Sequence, residues 1–182
     1  MEKLWRLPNL SLIALIIPCL IFAKVTTEVG KDSYGKEVIE SLESQGAVKL
    51  RGTKIQHATK VLGALIAHEA FLQDVDVTGD LQLFSTKVKG AIHAIGAFRA
   101  EGSFFDETIY FSGKKASFNQ CLLEKGIVFE KEFGFKGSQI LELKNKSQVY
   151  GKIIFEDGKG QVHLYPGVKL PLHIEGAEVV YK

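Results

Sequence analysis

Asp74, Asp76 and Asp80 form the best candidate acidic cluster in this sequence. Two carboxylates roughly 5 to 10 Å apart can hydrolyse a glycosidic bond, and acids gathered beside a basic residue can hold calcium. On a strand, positions 74 and 76 point the same way, and Asp80 falls just past a corner at Gly79. Lys87 and Lys89 are the bases that such a site would recruit. A solvated outer face accounts for the same three aspartates. The five histidines, His57, His68, His93, His163 and His173, show neither His-x-His nor His-Glu-x-x-His spacing, so no metal set is assigned. The interval from His68 to His93 is near the coil repeat described below, which would place the two on adjacent coils. Cys121 sits between Phe118 and Leu122-Leu123, which reads as a small buried hydrophobe rather than a nucleophile. There is no phosphate loop, Gly-x-Ser-x-Gly, calcium-roll repeat or strict hexapeptide run. Asn145-Lys146-Ser147 is a formal glycosylation acceptor that reads as a turn. No catalytic, cofactor or metal residues are assigned.

The elements that would position these residues begin with the composition. The chain has 182 residues, 46% of them hydrophobic and 24% charged, which suits one globular domain with a core of its own. The balance of 23 basic against 21 acidic residues is too even for a nucleic-acid footprint, and no nucleic-acid partner is expected.

Lys3 and Arg6 precede an apolar stretch from Leu10 to Ala23, followed by Lys24-Val25-Thr26-Thr27-Glu28. That is the order of a secretory signal peptide over residues 1–23, and the stretch is short for a membrane span. Cleavage after Ala23 leaves no spanning segment and predicts export to the periplasm or the medium. Lipidation at Cys19 is disfavoured, because Ile16-Ile17-Pro18 precedes it in place of small residues. The mature chain keeps one cysteine, Cys121, and cannot form an internal disulfide.

Thr59-Lys60-Val61-Leu62-Gly63-Ala64-Leu65-Ile66-Ala67 recurs as Thr86-Lys87-Val88-Lys89-Gly90-Ala91-Ile92-His93-Ala94, identical at six of nine positions. A shorter unit, apolar-x-Gly-x-apolar, starts at Val61, Val77, Val88 and Val149, with looser copies from Leu50, Phe135 and Ile174. The repeat glycines read from these units are Gly63, Gly79, Gly90, Gly137, Gly151 and Gly176. Between them run alternations such as Val75/Val77, Leu81/Leu83 and Ile153/Phe155. Short strands with inward residues at period two, broken at glycine corners, describe a coiled stack. The mature chain holds no Asn-Gly and one Asp-Gly, at Asp157-Gly158, which argues against hairpin sandwiches. The expected fold is all-β: a single-stranded parallel β-solenoid, of the right-handed β-helix kind, over residues 46–182. Six or seven coils of roughly 20 residues are expected. Residues 24–45 form an N-terminal segment in which Lys36 to Gln45 reads as a capping helix closed by Gly46. Ala58 to Val75 has a competing helical pattern and is assigned to strand.

Phe98, Phe104, Phe105, Phe111, Phe118, Phe129, Phe133, Phe135 and Phe155 fall where stacked inward positions are expected. One of Phe104-Phe105 must point outward, because strand neighbours face opposite sides. An aromatic strip that binds sugar or lipid is the sharper alternative for such residues.

On Ile140-Leu141-Glu142-Leu143, Val149-Tyr150-Gly151-Lys152-Ile153-Ile154-Phe155-Glu156-Asp157-Gly158-Lys159-Gly160 and Ile174-Glu175-Gly176-Ala177, the chain from about Gly46 onward resembles the bactofilin-type polymer-forming β-helices and their small exported relatives in Gram-negative bacteria. The resemblance implies a non-catalytic solenoid acting as a structural or binding module, with self-association or an envelope or host component as partner. A self-assembling scaffold and a small carbohydrate-active β-helix enzyme are the alternatives, the second requiring Asp74, Asp76 and Asp80 to converge with Lys87 or Lys89.

Overall fold

A strand that alternates inward and outward residues over eleven positions can wrap a narrow core only if it bends midway. The computed structural model describes residues 33–131 and 137–182 together with the strand Val25–Thr27, and it shows that bend in five successive strands. These are Ser41–Arg51, Ala58–His68, Asp74–Phe84, Ile92–Glu101 and Ile109–Asn119, each paired in parallel with the next. In later coils the long strand is divided in two, so Gly126–Phe129 and Ile140–Lys144 stack on the two halves of Ile109–Asn119. Two-residue strands, from Val38–Ile39 to Gln148–Val149, form a second parallel sheet on a narrow side. The protein is therefore an all-β solenoid, as the repeat predicts, with about eight turns. The signal stretch, with Cys19, and the aromatics Phe133 and Phe135 lie outside the described residues.

The core is built of columns, one residue per coil. Leu42, Thr59, Val75, Ile92, Ile109, Ile127 and Ile153 form one inward column. Aromatic side chains fill the centre of the later coils. Phe98, Phe105 and Phe118 meet edge to face at 5.1 to 6.2 Å, and Phe129 stacks on Phe155 at 4.2 Å, geometries that add to simple area burial. Phe105 is buried and Phe104 is half exposed, as strand alternation requires.

At each bend stands a glycine. Gly46, Gly63, Gly79 and Gly96 lie opposite one another in register, with φ from +113° to +142°, and Gly113 continues the line. A Cβ on Gly63 would strike the carbonyl of Gly46, and the same holds for Gly79 on Gly63, Gly96 on Gly79 and Gly113 on Gly96. From Gly63 to Gly96, glycine is needed twice over: for a conformation that L side chains avoid, and for the close approach of the neighbouring backbone.

A second corner is held differently. Gly52, Glu69, Ser85, Gly102 and Gln120 adopt left-handed φ between +49° and +66°. Their amides bond the carbonyls of His68, Phe84, Glu101, Asn119 and Lys144 on the following coil at 2.8 to 3.2 Å. The residue after each corner enters the core, and hydroxyls recur there: Thr53, Thr86, Ser103 and Ser147. Ser103 Oγ accepts from the Thr86 amide at 3.1 Å and donates to the Glu101 carbonyl at 3.0 Å. Ser147 Oγ likewise accepts from the Cys121 amide at 3.2 Å and donates to the Lys144 carbonyl at 2.7 Å. Buried polar atoms at the turn are thus satisfied between coils.

Five sequence expectations are corrected. Residues 36–45 are not a capping helix; they hold the strand Val38–Ile39 and the start of Ser41–Arg51. The helix end expected at Gly46 is instead a strand bend, because the inward alternation Leu42, Ser44, Val48, Leu50 pairs onto the next coil. The solenoid accordingly begins before residue 46, because Val25–Thr27 and Ser33–Tyr34 also stack on Ser41–Arg51. Coils are also shorter than expected along most of the stack: Thr86 and Ser103, equivalent corner residues bonded to each other on adjacent coils, stand 17 positions apart. The internal sequence identity does not mark a coil, since Thr59 lies in a long strand and Thr86 at a corner. Among the repeat glycines, Gly63 and Gly79 belong to the bend line. Gly90 instead packs against Asp74, and Gly151 and Gly176 approach the backbones of Lys125 and Phe155. Gly137 is exposed outside any strand.

Three substitutions test this frame. Gly79→Ala should destabilise the protein by at least about 2 kcal/mol through strain and collision. Gly158→Ala, at φ +65° with nothing within 4 Å of the added carbon, should cost about 1 kcal/mol. Thr59 Oγ1 is fully buried in an aliphatic column without a hydrogen-bond partner. Thr59→Val should therefore stabilise by about 1 kcal/mol. Urea unfolding of the three variants measures all of these.

Candidate functional site

Past the glycine line, the outward residues of successive coils form a second set of columns. One runs Lys49, Ile66, Gln82, Arg99, Ser117, Glu142 and His163; beside it run Ala47, Ala64, Asp80, Ala97 and Lys115. The alanines keep the floor low, and a groove of about 480 Å³ lies over Ala97, rimmed by Asp80, Arg99, Lys115, Asn119, Glu142 and Lys144.

Glu142 is the centre of this groove. It points outward from Ile140–Lys144, yet its neighbours cover it to 7% exposure. Lys115 Nζ lies 2.9 Å from one carboxylate oxygen, and Lys144 Nζ lies 2.7 Å from the other. Ser117 Oγ donates to the second oxygen at 3.3 Å. Burial opposes ionisation of this carboxyl, but the hydrogen bonds and charges of Lys144 and Lys115 prevail and hold it at about 2. On the next coil, burial and the Lys182 charge lower His163 from its ordinary value. Glu142 is therefore a fixed anion that pins two ammonium groups and does not act as a proton donor. Lys144 also stands 5.0 Å from the Tyr165 ring centre.

The acidic cluster does not converge. Asp74 and Asp76 share the outer face before the bend, where Asp74 Oδ1 accepts from the Ala91 amide at 3.1 Å and so secures the next coil's turn. Asp76 is flanked in register by Lys60 and His93. Asp80 lies around the glycine corner, in the groove. Lys87 pairs with Asp106 at 3.1 Å on the narrow side, and Lys89 lies over Phe71. The convergence that a carbohydrate-active site would need is not present in the described residues.

His68 stacks on Phe84 at 4.6 Å and His93 on Tyr110 at 4.8 Å. These are different columns, so the expected stacking of the two histidines on each other is corrected: the interval between them matches no coil step in this part of the chain. No group of three potential metal ligands gathers among the described residues. Cys121 occupies the hydroxyl column of the second corner, its thiol pushed up to about 11 by burial, so it stays protonated and shielded.

Sequence reasoning missed the groove. Glu142 was legible only as part of an alternating strand motif. Its partner Lys115 lies on the preceding coil, and no local spacing joins them.

Glu142 supplies a pH test. Its folded value lies below the ordinary 4.5, so its contribution to stability is complete above about pH 4.5 and is lost as pH falls toward 2. Glu142→Gln should be less stable than the parent by about 1 to 3 kcal/mol at pH 7, with the gap closing on acidification. Urea unfolding of both proteins at pH 7, 4 and 2.5 measures it.

Comparison with protein-family models, with curated proteins and with solved structures finds no match for this chain.

Proposed function

We propose that this chain is an exported, non-catalytic β-solenoid serving as a structural or binding module in the cell envelope or outside the cell. The observation that carries the reading is the groove around Glu142. There a stacked, hydrogen-bonded sheet holds opposite charges at fixed spacing, and the central carboxylate stays ionised and has no proton to donate near neutral pH. Such a surface recognises a ligand by position and charge rather than transforming it. The separation of Asp74 and Asp76 from Asp80 and the shielding of Cys121 support the absence of catalysis. Export is supported by the basic residues Lys3 and Arg6 before the apolar stretch from Leu10 to Ala23.

A scaffold built by self-association is the second reading. Among the described strands, Ala177–Tyr181 pairs only with Gly160–Leu164, leaving a strand edge of the kind that accepts another chain. Tyr181 there is 80% exposed.

Fractionation of a Gram-negative host that produces the full chain, with N-terminal sequencing of the product, tests the export half. The expected result is a chain starting at Lys24 in the periplasm or medium; an intact chain starting at Met1 in the cytosol overturns it. Sedimentation of the purified product separates module from scaffold: a single slow species supports the first, and long assemblies support the second.

A further inference from the structure

The narrow side of the solenoid carries a chemistry that the groove does not use. Its strands are two residues long, so on each coil one side chain enters the core and one leaves it. Lys54, Phe71, Lys87 and Phe104 are the outward members on four successive coils, in direct register. Cation and aromatic ring therefore alternate along one straight column. Two positions after the first three of these stand Gln56, Gln73 and Lys89. Phe104 is 50% exposed. The ammonium groups of Lys54 and Lys89 each lie 5.6 Å from the centre of the Phe71 ring, and Lys87 meets Asp106 at 3.1 Å.

Parallel coils stand about 4.8 Å apart, so like residues in this column recur at about 9.6 Å. One coil step is close to the length of a pyranose unit in an extended glycan, and two steps are close to a disaccharide. A phenyl face packs against the C–H face of a sugar ring. An ammonium group takes a carboxylate, and glutamine amides take hydroxyls. We propose that this side binds an acidic glycan whose charged and neutral sugars alternate, lying along the stack. Its acidic rings sit opposite Lys54 and Lys87, and its neutral rings opposite Phe104 and Phe71, the latter once Lys54 and Lys89 turn from the Phe71 ring toward the glycan. Asp106 pairs with Lys87 in the free protein, both side chains remaining partly exposed, and the glycan's carboxylate competes with it for the same ammonium. Lysines separate the two rings along these four coils, and the column runs on into Val38 beside Lys54 and Leu122 beside Phe104; the ammonium groups in its middle favour a polar, charged polymer over a purely apolar partner.

The site shares with the groove only the premise of a binding module, and separate variants distinguish the two. The test is calorimetric titration of the full exported chain with four probes. They are a polymer of alternating glucuronate and N-acetylglucosamine, a polyuronate charged on every ring, a neutral glucan, and anionic phospholipid vesicles. The alternating polymer is expected to bind best. Phe104→Ala, and separately Lys54→Gln with Lys87→Gln, should each weaken it by about tenfold, while Phe104→Tyr keeps it. All these positions are at least partly exposed, and an unchanged unfolding midpoint shows that the variants are folded. Arg99→Ala, in the groove, should leave this binding unchanged. Loss of binding in Arg99→Ala with none in Phe104→Ala would move the glycan to the groove and overturn the proposal. No binding to the alternating polymer overturns it as well, as does a preference for the polyuronate that ignores Phe104. Vesicle binding that depends on Phe104, without glycan binding, would replace the glycan with a membrane.

Discussion

Close contact between one glycine backbone and the carbonyl of the glycine on the preceding coil sets the shape of this molecule. A long parallel strand would otherwise continue straight and leave one half of its inward residues in water. At Gly63, Gly79 and Gly96 the chain bends with positive φ, and the adjacent coils fit because no Cβ stands between them. Both halves of the strand then face one core, and the outward side chains fall on two sides rather than one. The bend also separates the acidic groups: it puts Asp80 in the groove and leaves Asp74 and Asp76 on the other side.

The second corner solves a different problem with different residues. Left-handed conformation at a turn favours glycine, yet Glu69, Ser85 and Gln120 occupy it as well. The strain of a side chain there is offset by the amide bond to the next coil. The hydroxyls that follow link consecutive coils from within, so that a change in one turn is felt by its neighbours. Cys121 stands in this series as a weak donor, its sulfur 3.3 Å from the Asn119 carbonyl. It is a substitute for serine in a structural ladder.

The architecture was legible because period-two alternation and glycine corners survive as local patterns. Val61-x-Gly63-x-Leu65 and Val77-x-Gly79-x-Leu81 each hold an inward residue, the bend and the next inward residue. Other turns escaped because small inward residues broke the apolar rule: Ser44 stands before Gly46 and Ala94 before Gly96. Coil length was obscured by an identity between Thr59 and Thr86, two buried threonines that serve different parts of the coil. In a solenoid the repeat is one of environment, inward or outward, and residue identity follows it loosely. The charged groove was illegible for a related reason. Ser117, Glu142 and Lys115 become neighbours only after the coil register is known, and the step that joins them is longer than those before it.

The direction of the hydrogen bonds has a mechanical consequence. Through the long strands the backbone bonds run along the stack, from one turn to the next. A pull along that axis loads the bonds of the terminal coil alone, and turns detach one after another at low force. A pull across the axis loads the bonds between many turns in shear, and they must fail together. The protein is in this sense anisotropic: weak when peeled from an end and strong when stretched sideways. A layer of such molecules anchored by their flanks would resist lateral tension in a surrounding matrix.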